Sequence, residues 1–152
     1  MAENTLEEQQ QADLREWYKT KLGELVQEIL KKGVLNGVAI EAVPVWAAQG
    51  QVLIAKIWST AEKSKFIWAI SGEAVVTDHI AGDVAINPQE VARHFALKWQ
   101  VDADRLGNIA QSRSPVENSE AHMEGYTDKL IQSAELLYEM STHDEHWKAK
   151  HH

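Results

Sequence analysis

Two apolar runs lying close together, "QVLIAKIWS" and "KFIWAIS", constrain this chain more than anything else in it. Both are dense in Ile, Val and aromatic residues, whose branched or bulky side chains fit a pleated surface. The polar "TAEKSK" between them is of hairpin length. Together they predict an antiparallel hairpin over residues 51–72. Neither run alternates cleanly between apolar and polar, so most of both faces should be buried, as when strands lie between helices. Upstream, "GVAIEAVPVWAA" is β-rich but interrupted by Pro44, which fits an edge strand or an extended segment.

Helical patterns flank this centre. Thr5-Leu6-Glu7-Glu8 reads as a capping box, and Leu14, Trp17, Tyr18, Leu22, Leu25, Val26 and Ile29 then recur on one helical face. Lys31 and Lys32 suit the negative end of the helix dipole, and Gly33 can close the helix. Further on, Asn87 can cap, Pro88 suits the first helical position, and Glu90 completes a capping box. Ile86 and Val91 stand where a hydrophobic staple would place them. Val91, Phe95 and Trp99 should face the core of this helix, which is expected to end near Arg105 with Gly107 beyond. After the polar "GNIAQSRS", Ser114-Pro115-Val116-Glu117 repeats the same start grammar. Met123, Tyr126, Leu130, Ala134, Leu137 and Tyr138 form the expected buried face of a last helix, which Gly125 should weaken. The expectation is an α+β fold: a single domain over residues 1–142, with a long N-terminal helix, a central antiparallel hairpin or small sheet, and two C-terminal helices. Residues 143–152 form a polar, His-rich tail, and His151-His152 have the form that a purification-tag remnant leaves.

Composition narrows the function. The chain has 152 residues and a formal charge of −8, and residues 114–152 set eight acids against three basic residues. An acidic chain without a basic stripe is a poor match for nucleic acid, where phosphate contacts dominate affinity. There are no cysteines, which excludes thiol nucleophiles, disulfides and Cys-based zinc sites and fits a cytoplasmic location. No apolar run approaches the length of a bilayer span, so no membrane role is expected. No Gly-rich phosphate loop is present, so no cofactor is expected. Nor is a native metal site: His143 and His146, with Asp144 and Glu145, lie at the chain's extreme end, where adventitious binding is the simpler reading. His94 and His122 read most simply as packed or surface histidines.

The polar stretch after the second strand run is where chemistry could reside. Ser71, Glu73, Thr77, Asp78 and His79 fall within nine residues there, and Arg93 and His94 lie on the following helix. Ser71-Gly72 lacks the Gly two residues before the Ser that a nucleophile elbow requires. Thr and Asp are also good turn formers, because their oxygens accept hydrogen bonds from nearby backbone N–H groups. Trp46, Trp58, Trp68 and Trp99 fall in or beside the expected core elements, where filling a core is their commonest role.

These residues carry a resemblance. Trp68, Ile70, Ser71, Gly72 and Glu73, then Thr77-Asp78, then Arg93, Phe95 and Trp99, together with the final "SAELLYEM", resemble a bacterial family catalogued only as a domain of unknown function. The family's pattern has Asp where this chain has Glu73, and a shorter, Pro-containing link where it has "AVV". The resemblance implies an α+β fold and a bacterial origin, and no activity.

The functional expectation is a cytosolic, non-enzymatic binding or accessory protein whose site is the loop 71–79, backed by Arg93 and His94. The acidic surface favours a basic protein partner. The alternative is a small, hydrolase-like acid–base enzyme that uses Asp78 and His79 with Glu73 assisting. A homodimer through the exposed side of the first helix is compatible with both.

Overall fold

A computed structural model describes residues 2–35, 39–48, 50–62, 64–112 and 117–147. Helix α1 (Ala2–Lys32) leads into four strands, β1 (Ile40–Ala48), β2 (Val52–Ser59), β3 (Phe66–Ser71) and β4 (Asp78–Ala81). Helices α2 (Pro88–Ser112) and α3 (Glu117–Thr142) follow. The class is α+β as expected, and the chain forms two compact units. One comprises residues 1–73 and 77–82; the other comprises residues 74–76 and 83–152.

The first unit holds α1 and an antiparallel sheet of order β1-β2-β3-β4. The expected hairpin is β2–β3, with Ala55 opposite Ala69 and Ile57 opposite Ile67. β1 is an edge strand, and its pairing slips between Pro44 and Trp46. Edge and bulge are the positions where a residue without an N–H costs a sheet least. On one face, Ala55, Ile57, Ile67 and Ala69 pack with Leu25 and Ile29 of α1. Burying Leu25 and Ile29 contributes about 1.5–3 kcal/mol each. The opposite face carries Ile54, Trp68 and Ile70, all buried. Trp68 and Phe66 there flank Lys56, whose Nζ lies 4.9 Å from each ring centroid.

Three expectations about the first unit change. α1 begins at Ala2, so Thr5–Glu8 lies inside the helix and does not start it. Nothing in "AEN" breaks a helix, and a capping pattern acts only where the chain upstream departs from helical geometry. The N-terminal half of the apolar face is only partly covered: Leu14, Trp17 and Tyr18 are half-buried, and Leu6 is exposed. At 1.5 Å per residue α1 is about 46 Å long, well beyond a strand of about 30 Å. The third change is β4, a short strand where the sequence reads as a loop. At the other end of α1, Gly33 closes the helix with φ +63, as read.

The second unit is built on α2 and α3. Asn87 Oδ1 accepts the N–H of Glu90 at 2.9 Å, the expected N-cap. The Glu90 carboxylate reaches back to the N–H of Ile86 at 2.8 Å, one residue further than a standard box. No staple forms, because Ile86 is 83% exposed while Val91 is fully buried. Val91, Phe95 and Trp99 are buried as expected, and the rings of Phe95 and Trp99 stack at 5.5 Å. On α3 the buried stripe is Leu130, Ser133, Ala134, Leu137 and Ser141, whereas Tyr126 and Tyr138 are more than half exposed. α2 does not stop at Arg105; it runs through Gly107 to Ser112. Gly107 does not adopt the positive φ that closes a helix, so it costs propensity without ending the element. Gly37, Ser114-Pro115-Val116, His151-His152 and the side chains of His122 and Met123 lie outside the described residues. Among the described residues no helix is long and apolar enough to cross a membrane.

Candidate functional site

Ser71, Glu73, Thr77, Asp78 and His79 belong to the first unit, Arg93 and His94 to the second. β3 and β4 pair Ala69 with His79 and Ile70 with Asp78. Directly opposed residues share a face, and neighbours along a strand take opposite faces. His79 therefore lies on the α1 side of the sheet with Ala69, and Asp78 lies on the other side with Ile70. This divergence separates the acid and the base that the enzymatic reading would bring together. Asp78 Oδ1 accepts the backbone N–H of His79 at 2.8 Å, a local turn-type contact.

Ser71 and Thr77 do converge. The β3–β4 register, continued one step, sets them opposite each other, and their hydroxyl oxygens lie 3.2 Å apart. Ser71 is only 4% exposed. Gly72 anchors this corner. Its φ is +153, and a Cβ there would stand 2.0 Å from the carbonyl oxygen of Gln51. The Ser-Gly of the sequence is thus a close backbone crossing, where only glycine fits.

Beyond the hydroxyl pair opens a cleft of about 730 Å³, lined by Ser71 and Thr77 on the sheet side and by Glu24, Gln27, Glu28, Leu30 and Lys31 of α1. Neither Asp78 nor His79 lines it. Glu28 is half-buried and makes no ion pair among the described residues. At the neighbouring turn of α1, Lys21 Nζ lies 3.3 Å from Glu24 Oε2 and also pairs with Glu73. The hydrogen bond to Glu73 raises the Lys21 pKa above its ordinary 10.5, against the opposing effect of burial, with Glu24 adding to the rise. Glu73 thus serves as a counter-ion to α1.

The α1 side of the cleft escapes a reading centred on residues 71–79. Its signal is a lysine on an otherwise apolar stripe, Lys21 between Tyr18 and Leu25, with carboxylates at 24 and 28. A charge at core spacing implies a specific partner elsewhere in the fold.

Arg93 and His94, expected to back the loop, make the following contacts within the second unit. Arg93 Nη2 donates to the Ser141 carbonyl at 3.2 Å, and Gln89 donates to the same oxygen at 2.8 Å. Both satisfy the open carbonyl end of α3. His94 is exposed and lines a shallow groove on α2 with Leu97, Lys98, Val101, Asp102 and Arg105.

A family model described as "Domain of unknown function (DUF4826)" matches residues 8–147. No curated protein and no solved structure matches the chain.

Proposed function

The chain belongs to the DUF4826 family, a domain of unknown function, and we propose that it is a non-enzymatic binding protein that takes up a basic group of a protein partner. One observation carries this reading: a cleft of small-ligand size whose α1 wall presents Glu24 and Glu28, the latter half-buried with no ion-pair partner among the described residues. A guanidinium suits such a wall, since its planar donors match carboxylates, and the Ser71 and Thr77 hydroxyls and Gln27 amide can take further hydrogen bonds. The overall charge of −8 would steer a basic partner toward the protein before contact. A cytoplasmic setting fits a chain without cysteine.

Arginine hexapeptide is the probe, with binding followed calorimetrically for wild type and for Glu28→Gln. The reading expects saturable wild-type binding that Glu28→Gln weakens by about two- to five-fold, the range of a single partly exposed ion pair. Equal binding by the two proteins would contradict the assignment of the cleft.

A further inference from the structure

We propose that Lys21 is an internal competitor for the cleft, an ammonium that holds in cis a carboxylate which a basic ligand would otherwise use. This inference rests on the reading of the cleft as a site for basic groups. Glu24 has two roles: it lines the cleft, and its Oε2 lies 3.3 Å from Lys21 Nζ. The lysine side chain is only 14% exposed, whereas Glu24 and Glu73 are 56% and 63% exposed. The cation is therefore fixed by its surroundings, and the carboxylates it holds still face solvent.

The cleft presents one engaged carboxylate, Glu24, and one without an ion pair among the described residues, Glu28. They are four residues apart on a helix, so their side chains are neighbours on one face, about 6 Å apart at Cβ. A ligand with a single cation can pair with Glu28, on the wall that also carries Lys31, without disturbing Glu24. A ligand with two adjacent cations must also draw Glu24 away from Lys21. Glu73 makes this exchange feasible, because Lys21 keeps that counter-ion when Glu24 is released. The arrangement lowers affinity for ligands with paired charges by the fraction of time that Glu24 is held, and leaves ligands with a single charge largely unaffected.

The test compares wild type, Lys21→Met and Lys19→Met for binding of arginine hexapeptide. Methionine keeps the aliphatic stem on the α1 stripe and removes the ammonium. Lys19 is an exposed lysine on the same helix, outside the cleft lining, so its variant carries the same change in net charge. Lys21→Met is expected to bind about two- to five-fold more tightly than Lys19→Met, as release of one ion pair allows. Dispersed amide spectra establish that both variants are folded. Equal binding by the two variants, with wild type still binding, overturns the competitor role and leaves the cleft intact. Loss of binding in all three proteins overturns the cleft and the competitor together.

Discussion

Gly72 and Lys21 are the residues whose replacement should speak most clearly. At Gly72 a Cβ would stand 2.0 Å from the Gln51 oxygen, at a φ of +153 that side chains rarely adopt. Gly72→Ala should cost about 2–4 kcal/mol, a fall in Tm of roughly 5–15 °C for a chain of this size. An unchanged melt would mean that the crossing is looser than described. Lys21 makes a pH prediction. Its folded pKa is raised, so the stabilisation from pairing with Glu73 and Glu24 is complete below the unfolded lysine value. It disappears as pH rises through the higher folded value. The stability of wild type relative to Lys21→Met should therefore stay constant through neutral pH and decline above pH 10.5. Denaturant titrations of both proteins at stepped alkaline pH measure this, and a difference that grows above pH 10.5 would contradict it.

Among the elements, those fixed by local contacts were legible in the sequence and those fixed by distant ones were not. The start of α2 is written in adjacent residues, since Asn87 and Glu90 satisfy backbone groups three and four positions away. Asn87→Ala should accordingly cost about 1 kcal/mol, seen as a Tm lower by roughly 2–4 °C. The β2–β3 hairpin was equally plain, because its apolar runs and short link specify pairing without help from elsewhere. β4 was not. "DHIA" is four residues with no apolar run, and it is a strand only because Ile67–Ile70 offers it a partner. Its strand geometry turns Asp78 and His79 to opposite faces, a separation invisible while the stretch reads as a loop. The end of α2 is hidden from the sequence for a related reason: Gly107 lowers propensity, but a helix ends where its backbone turns away, and here it does not.

At the scale of the molecule, the α+β class and the order of elements followed from periodicity, while the functional surface did not. The candidate residues on the chain segment 71–79 share one unit with α1, and Arg93 and His94 belong to the other. Only Ser71 and Thr77 of the seven line the α1 cleft; the remaining walls come from a helix some fifty residues upstream in sequence. The proposed basic partner rests on the formal charge of −8, and its attraction would be partly long-range and screened by salt. The most direct measurement is an amide chemical-shift map of the protein titrated with arginine hexapeptide at low and at high salt. The largest shifts are expected on Glu24, Gln27, Glu28, Ser71 and Thr77, and they should shrink as salt rises. Shifts centred on His94 and Arg105 of α2, spread evenly over acidic surface, or indifferent to salt would contradict this reading.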